Sequence, residues 1–322
     1  MEFFEPVLGP ILTLLEPKSL CEIGIDKGRF SDHLMEFCSQ QDCRYTGIDP
    51  SIDGDLLKQK NNAEFKLMKC SSIEALHEIE PQDIYIIDGD HNYFTVKEEL
   101  KLIFRHKENR PVLFFHDTGW PFGRRDLYYK PDSIPQKERQ PYSTVTGPWP
   151  GKSELVDIGF CANESNTHIA LDNGGPKNGV LTAIEDGLSE QVVPKGYHLQ
   201  TLPILFGCSI LYPANSIPQN ALEKLVELEN GTTLLHPTLE LMETNRMTLY
   251  LHLLASWEKF EKLHNSYEEL MKGYKELMDQ YGDLHDHSDK LLGAYKDLKN
   301  YKDSLEAQLK NNAWYVFLSR AR

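Results

Sequence analysis

The stretch CEIGIDKGRFS, residues 21–31, decides the fold of this chain, because it joins a short apolar strand to a helix through a glycine-rich turn. Glu22 precedes Gly24, and Gly28 and Ser31 follow where the helical pattern begins. Glycines let the backbone pass close to a ligand, and the N–H groups at the start of a helix can bind one. Many α/β proteins carry such a loop for packing alone, so its meaning depends on the features that follow it.

Beyond this turn, the first half of the chain alternates short β-rich runs with helical patterns, as a doubly wound parallel sheet requires. Nearly continuous apolar runs, such as DIYIID and PVLFF, are typical of strands covered on both faces. The predicted strands are 19–25, 44–49, 64–69, 83–88 and 111–116, and the predicted helices are 28–40, 54–60, 72–79 and 92–107. A further helix in 178–191 and a closing hairpin in 197–213 complete this α/β region.

A long stretch without a regular pattern, about 118–178, is rich in Gly, Pro and aromatic residues. A loop of this length inside a compact domain is usually a lid or a binding loop. The candidate substrate contacts in it are Trp120, Arg124, Arg125, Tyr128 and Tyr129. The arginine pair favours an anionic acceptor, such as a phosphate- or carboxylate-bearing sugar. The alternative for the arginines is an ion pair with Asp126 or a neighbouring acid.

Composition excludes some classes of partner. The chain has 322 residues and a formal net charge of −15, which argues against a nucleic-acid partner because phosphate binding needs a basic surface. Its six cysteines form no CxxC pair, which is typical of reduced thiols in the cytoplasm. The apolar N-terminus is broken up by Glu and Pro and follows no basic residues, so we expect no signal peptide. Without an apolar run of about 20 residues, we expect no membrane-spanning helix.

A seven-residue repeat begins at Leu249. The unit Y-x-x-L recurs as YEEL, YKEL, YGDL and YKDL, with d positions from Leu249 to Leu305 and a positions from Leu253 to Leu309. Such a repeat over about eight heptads predicts a coiled coil, since 3.5-residue spacing keeps one seam facing a partner helix. The alternative is one long amphipathic helix packed on its own domain. We therefore predict a homo-oligomer, a dimer or a trimer.

These patterns predict that the chain has three parts: an α/β domain at 1–213, a helical linker at 214–248 and a coiled-coil stalk at 249–322. The chain ends with the aromatic segment NNAWYVFLSRAR. Two interpretations of this end stay open. It contacts the inner face of the cell membrane peripherally, or it only ends the coil.

Polar side chains follow the predicted strands at the edge where open α/β folds bind their ligands. Asp49, after the second strand, is placed to accept the hydroxyls of a ribose. Ser71 and Ser72, after the third, either line an adenine pocket or cap the next helix.

The next two strands end in acids and histidines. Asp88 and His91 follow the fourth strand, and His116 and Asp117 end the fifth. A carboxylate that binds a hard cation beside an imidazole base is a workable pair for deprotonating a hydroxyl. Asp88 and Asp117 could also hold one Mg²⁺ between them, or each could cap the segment that follows it.

In this order, the motifs CEIGIDKGRFS, TGIDPS, KCSSIE, YIIDGDHNY and FFHDTGWP resemble those of class I S-adenosylmethionine-dependent methyltransferases. DGDHNY, with HD on the next strand, is similar to metal-dependent sugar O-methyltransferases of the macrocin type and to cephalosporin-hydroxylase-like proteins. GRRDLYYKPDSIP and GPKNGVLTAIEDGL resemble tracts of methyltransferases encoded with bacterial surface-glycan genes. The resemblance covers about residues 1–213 and implies a Rossmann-like, mostly parallel seven-stranded sheet.

The resemblance also implies roles for individual residues. The cofactor-binding set is Glu22, Gly24, Asp26, Gly28, Asp49, Ser71, Ser72 and Asp88. His91 would be the general base, working with Asp88, and Asp88 and Asp117 would be metal ligands. The sugar methyltransferases offer a Glu-Asp pair where this chain has His116-Asp117. Because imidazole is a poorer ligand for Mg²⁺ than a carboxylate, the site either binds a softer metal such as Mn²⁺ through His116 or works by base catalysis alone.

The leading hypothesis is a cytoplasmic S-adenosylmethionine-dependent O-methyltransferase that methylates a sugar hydroxyl of a bacterial surface polysaccharide, O-antigen or capsule. By analogy in architecture, the coil could serve as a spacer for a chain-terminating enzyme and recruit other glycan-assembly enzymes. Two alternatives stay open. One is a methyltransferase for a small molecule of secondary metabolism, and the other is an assembly protein whose enzymatic domain is inactive.

Overall fold

A computed structural model of the chain describes residues 4–52, 65–106 and 108–320. The predicted helix at 54–60 lies outside the described residues. The chain divides into two units, residues 1–253 and 254–322.

The strands of the main sheet and the described helices between them begin and end close to where the sequence predicts them. The strands are β1 Ser19–Ile23, β2 Arg44–Ile48, β3 Phe65–Met68, β4 Ile84–Ile87, β5 Val112–His116, β6 Leu127–Tyr128, β7 Tyr142–Ser143, β8 His168–Ala170, β9 Tyr197–Leu202 and β10 Cys208–Pro213. The helices are α1 Gly9–Leu15, α2 Arg29–Gln40, α3 Ser72–Glu78, α4 Tyr93–Ile103, α5 Val180–Ser189 and α6 Gln219–Arg320.

Seven strands form the main sheet, in the order β3-β2-β1-β4-β5-β10-β9. The first five are parallel, and β10 runs antiparallel to both β5 and β9. The mostly parallel seven-stranded sheet and the closing hairpin are therefore confirmed. At Ile23, β1 is in register with the last residues of both β2 and β4. As a result, Gly24, Asp49 and Asp88 leave the sheet at the same edge.

Apolar layers cover both faces of this sheet. Leu20 and Phe114 lie in one buried cluster, together with residues of α1 and α2. Their chain neighbours Cys21 and Leu113 lie in the other cluster, with residues of α3, α4 and α5. Because successive residues of a strand point to opposite faces, a strand buried on both faces needs an almost continuous apolar sequence. This is why the runs at 84–87 and 112–115 lack polar alternation.

The stretch 118–178 has more regular structure than its sequence predicts. It contains a three-stranded antiparallel sheet in the order β6-β8-β7. The buried carboxylate of Asp126 organises it by accepting hydrogen bonds from the backbone N–H groups of Tyr93 and Gly179 and from the hydroxyl of Tyr128. Buried polar groups need partners, and here the donors come from three separate segments of the chain. A local sequence pattern does not show such contacts.

The segment predicted as a linker, 214–248, is helical from Gln219 and packs on the α/β core. Ala221, Leu225 and Met247 are buried, and Leu225 belongs to the same apolar cluster as Leu20. The first part of α6 is therefore part of the first unit, which ends at residue 253.

In the second unit, the apolar side chains of the heptad repeat are exposed. Leu270 is 70 % exposed and Leu277 61 %, and the tyrosines at the a positions are similar. No helix among the described residues has the length and apolar character that crossing a membrane requires.

Candidate functional site

The glycine-rich turn and Asp49 form one hydrogen-bonded unit at the end of β1. The Asp49 carboxylate accepts hydrogen bonds from the backbone N–H groups of Ile25 (3.0 Å) and Asp26 (3.1 Å) through one oxygen, and from Ser51 N–H through the other. The backbone of Gly24 (φ +93°) donates to the carbonyl of Ile48 at 2.9 Å. The predicted cofactor residues of β1 and β2 are thus brought together, and Asp26 is exposed on the turn.

Glu22 lies beneath this turn and not on its surface. Its carboxylate is buried and accepts a hydrogen bond from the hydroxyl of Tyr45. Burial raises the pKa of Glu22 to about 7, although the hydrogen bond from Tyr45 opposes the shift. We infer that Glu22 supports the turn from inside the sheet. Gly28, the residue immediately before α2, has φ +75° and donates its N–H to the carbonyl of Ile25.

Ser71 caps a helix. Its hydroxyl accepts from the N–H of Glu74, and the Glu74 carboxylate accepts from the N–H of Ser71, which is a capping box at the start of α3. This is the second of the two roles predicted for the residue. Ser72 is the first residue of α3, and its adenine role stays a prediction.

The ends of β4 and β5 bring two carboxylates and two imidazoles together. His116 Nδ1 lies 3.1 Å from Asp88 Oδ1 and 3.1 Å from Asp117 Oδ2. His91 Nδ1 lies 3.3 Å from the same Asp117 oxygen. We call these four residues the acid–imidazole cluster. All four side chains are buried or half-buried, so their charges interact more strongly than they would in water.

The charges of this cluster stabilise one another. Burial alone would lower the pKa of His116, but the carboxylates of Asp88 and Asp117 outweigh it and raise the pKa to about 10. Burial would likewise raise the pKa of Asp117, yet His91 and His116 hold it below its usual range. His116 is therefore a cation at neutral pH as long as only these groups surround it.

Asp88, His116 and Asp117 also form a candidate metal site. One ligand atom from each lies within 4.8 Å of the other two, and the described residues contain no second group of this kind. Two carboxylate oxygens and one imidazole nitrogen fit a divalent metal that accepts mixed ligands, such as Mn²⁺, better than they fit Mg²⁺. Binding requires a neutral imidazole, so a metal would have to displace the proton of His116.

The His91 imidazole contacts two aromatic rings as well as the Asp117 carboxylate. This imidazole stacks on Phe122 at a centroid distance of 6.0 Å, and Tyr129 meets it edge-on at 5.9 Å. The Asp117 carboxylate favours a proton on Nδ1, which leaves the lone pair on Nε2. This is the orientation that a general base needs.

The residues predicted to bind substrate separate into two groups. Tyr129 and Trp120 remain candidates, since Tyr129 is 42 % exposed beside His91 and Trp120 is half-buried close to Phe160. For Arg124, the ion-pair alternative holds, because its guanidinium pairs with Glu185 on α5.

The structure argues against a substrate contact for Arg125 and Tyr128. The side chain of Arg125 is buried and donates to the backbone carbonyls of Ala170, Leu171 and Ser153. Tyr128 is buried as well, with its hydroxyl bonded to Asp126. Both side chains hold the small sheet together. The sequence did not show this for Arg125 because its partners lie far away along the chain.

Three aromatic residues near the acid–imidazole cluster were not predicted from the sequence to lie at the site. Phe206 meets His116 edge-on at 6.2 Å, Phe160 lies 5.3 Å from Phe206, and Phe122 lies 6.1 Å from Phe160. Together with the stacking of Phe122 on His91, these contacts form an aromatic wall that runs from one imidazole to the other. Phe206 follows an apolar run in a hairpin, where a phenylalanine has no distinguishing signal.

Gly24 offers a direct test of the turn. A Cβ at this position would lie 2.1 Å from the carbonyl oxygen of Asp88, and its φ of +93° is unfavourable for other residues. We expect Gly24→Ala to lower the free energy of unfolding by at least about 2 kcal/mol and to weaken cofactor binding. Gly196→Ala is a matched control, because its φ is +92° and nothing lies within 4 Å of the added Cβ. Equal losses in denaturant titrations of the two variants would contradict the steric explanation.

A family model matches the part of the chain that carries the candidate site. Residues 21–118 match a family model described as a methyltransferase domain. The chain has no match among curated protein sequences. A solved methyltransferase of Podospora anserina with SAH bound is 11% identical, with 63% of this chain and 75% of that chain covered and a TM-score of 0.35.

Two further solved structures are similar at the same level. MycE, a methyltransferase of the mycinamycin biosynthetic pathway in complex with Mg, SAH and mycinamycin VI, is 14% identical, with 68% of this chain and 52% of that chain covered and a TM-score of 0.37. A Corynebacterium glutamicum protein is 10% identical, with 63% and 78% covered and a TM-score of 0.35. Likenesses at these TM-scores carry no functional argument. The methyltransferase domain matched over residues 21–118 contains the turn, Asp49 and the whole acid–imidazole cluster.

Proposed function

We propose that this chain is an S-adenosylmethionine-dependent O-methyltransferase that acts on a sugar hydroxyl, in particular of a bacterial surface polysaccharide. The observation that carries the proposal is the convergence of Gly24, Asp49 and the acid–imidazole cluster at one edge of the sheet, within the part of the chain that matches a methyltransferase domain. Open α/β sheets bind their ligands at this edge.

The cofactor supplies a methyl group on a sulfonium, which is transferred in line to a nucleophilic oxygen, so alignment and deprotonation of the acceptor provide most of the rate gain. Gly24 and Gly28 let the backbone approach the cofactor closely. The Asp49 carboxylate is already fixed by three N–H groups and keeps one lone pair, on Oδ1, for a ribose hydroxyl. The turn thus positions the cofactor with little reorganisation.

His91 acts as the general base in this proposal. Its Nδ1 faces Asp117, and its Nε2 takes the proton of the acceptor hydroxyl. Asp117 stabilises the imidazolium that forms, as the acid does in a catalytic triad. Asp88, Asp117 and His116 would hold a divalent metal, which would supply Lewis-acid stabilisation of the negative charge that develops on the acceptor oxygen.

The structure changes the expected character of the acceptor. The two arginines that favoured an anionic sugar are paired with Glu185 and with backbone carbonyls. Aromatic residues instead dominate the neighbourhood of His91, and their rings can pack against the apolar face of a sugar. A neutral sugar hydroxyl is therefore the acceptor that we propose.

We also propose that residues 254–322 form a coiled coil between copies of this chain. Support comes from the exposed a and d positions, because a large unpaired apolar stripe normally marks an association surface. Peripheral membrane contact, a spacer role for the coil and recruitment of glycan-assembly enzymes all rest on this assembly.

The double substitution Leu277→Asp and Leu284→Asp, at two d positions, should raise the dissociation constant of the oligomer by at least about 100-fold. The matched control is Asn265→Asp and Asn300→Asp at f positions, which adds the same charge outside the seam. Sedimentation velocity of the full-length variants measures the effect. An oligomer that survives in the Leu variant, or a monomeric parent chain, would contradict the coiled coil.

The first experiment is calorimetric titration of S-adenosylhomocysteine into the protein, with and without Mg²⁺ or Mn²⁺. Micromolar binding supports the enzyme and justifies a screen of glycan acceptors and small metabolites, which separates the two enzymatic hypotheses. A larger effect of Mn²⁺ than of Mg²⁺ supports the mixed ligand set. No binding under any condition would favour an inactive assembly protein.

A further inference from the structure

One buried carboxylate on α6 has its partners in the turn between β9 and β10. Glu243 is 6 % exposed and accepts hydrogen bonds from the backbone N–H groups of Leu205 (3.1 Å) and Phe206 (3.0 Å). Arg246, one helical turn further on, donates to both oxygens of the same carboxylate at 2.8 and 2.6 Å. A buried charge is tolerated only where it is paired, so Glu243 makes a specific contact.

The turn that Glu243 holds is strained. Leu205, Phe206 and Gly207 have φ values of +50°, +69° and +87°, and the first two are residues that rarely adopt this conformation. Successive N–H groups in such turns converge on a concave anion-binding arrangement, which here receives the carboxylate of Glu243. Strain of this kind persists only where surrounding contacts enforce it.

The opposite side of the same turn contacts the candidate site. The carbonyl of Phe206 accepts a hydrogen bond from Gly119 N–H at 2.7 Å, two residues after Asp117. The ring of Phe206 meets His116 edge-on, at 6.2 Å and 71°. The Arg246 guanidinium stacks 4.7 Å from the centroid of the Phe206 ring. A continuous set of contacts therefore joins α6 to the acid–imidazole cluster.

We infer that Glu243 is a positioning residue, which holds the β9–β10 turn so that Phe206 packs against His116 and keeps this imidazole between Asp88 and Asp117. The catalytic meaning of this role rests on the proposed function. The anchoring itself does not, because it concerns contacts within the protein. The first part of α6 thus helps to build the site.

The test compares full-length Glu243→Gln with Glu229→Gln. Glu229 lies on the same helix and also binds the hairpin, through His198 Nε2 at 2.9 Å. In the main sheet, His198 pairs with Tyr212 of β10. Tyr212 lies four residues from Cys208, which is the β10 residue that pairs with His116. In Glu243→Gln, we expect the amides of Phe206 and Gly119 to exchange with solvent at least about tenfold faster and the ring resonances of His116 to shift. Neither should change in Glu229→Gln.

Unchanged exchange and unchanged His116 resonances in Glu243→Gln would overturn the inference. If this variant does not fold, Phe206→Leu provides the test, because it keeps the Glu243 contacts and removes the aromatic ring. Shifted His116 resonances with unchanged exchange of the Gly119 amide would support the positioning role. Unshifted His116 resonances would refute it. Titration of S-adenosylhomocysteine into the same samples separates the two proposals. If the parent and Glu243→Gln differ in amide exchange but the parent binds no S-adenosylhomocysteine, the anchoring by Glu243 stands and the proposed function is refuted.

Discussion

Replacing His91 by alanine is expected to lower kcat by about 10²–10⁴-fold, because the acceptor hydroxyl loses the base that takes its proton. The affinity for S-adenosylhomocysteine should stay within about twofold, since His91 is not among the predicted cofactor residues. Turnover is followed with radiolabelled S-adenosylmethionine and the acceptor found by screening, and the affinity by calorimetry.

The control for this variant is His77→Ala, which removes an exposed histidine from α3. It should leave both turnover and cofactor affinity unchanged. Full activity of His91→Ala would remove His91 as the base. A parallel loss of cofactor binding would mean that the imidazole shapes the cofactor site instead of reacting.

Replacing His116 by glutamine is expected to destabilise the protein by about 3 kcal/mol at pH 7, because it leaves the buried carboxylate of Asp117 and the half-buried carboxylate of Asp88 without the cation between them. The pKa of His116 is raised from its ordinary value near 6.5 to about 10. A raised pKa stabilises the folded protein fully below pH 6.5, and this contribution is lost as the pH rises through 10.

The parent protein should therefore lose stability relative to the variant between about pH 7 and pH 10. Urea titrations of both proteins at pH 6, 8 and 10 measure this difference, and titration of tyrosine and lysine side chains elsewhere cancels in the comparison. Parallel curves would show that folding does not raise the pKa of His116. Adding Mn²⁺ should stabilise the parent, and most strongly at pH 8 and 10, because a metal that binds the folded protein stabilises it and requires neutral His116.

Much of the fold was predictable because it is encoded locally. Each strand of the main sheet has its own apolar run, and the crossover rules for parallel sheets then align the strand ends. Asp49, Asp88, His91, His116 and Asp117 could be found for the same reason, since each lies at the end of a strand or within four residues after it. The heptad seam is also a local pattern, and the structure leaves it exposed within residues 254–322.

The tertiary structure decided the features that depend on residues distant in sequence. It places Arg125 and Tyr128 inside the small sheet, and it makes Glu243 part of the site's support. The partners of Arg125 and Glu243 lie tens of residues away, where no periodicity links them. It also decided the charge of His116, because the pKa of an imidazole depends on which carboxylates surround it after folding. The sequence by itself determined which groups reach the edge of the sheet, and only folding determined how close they come and therefore what charge they carry.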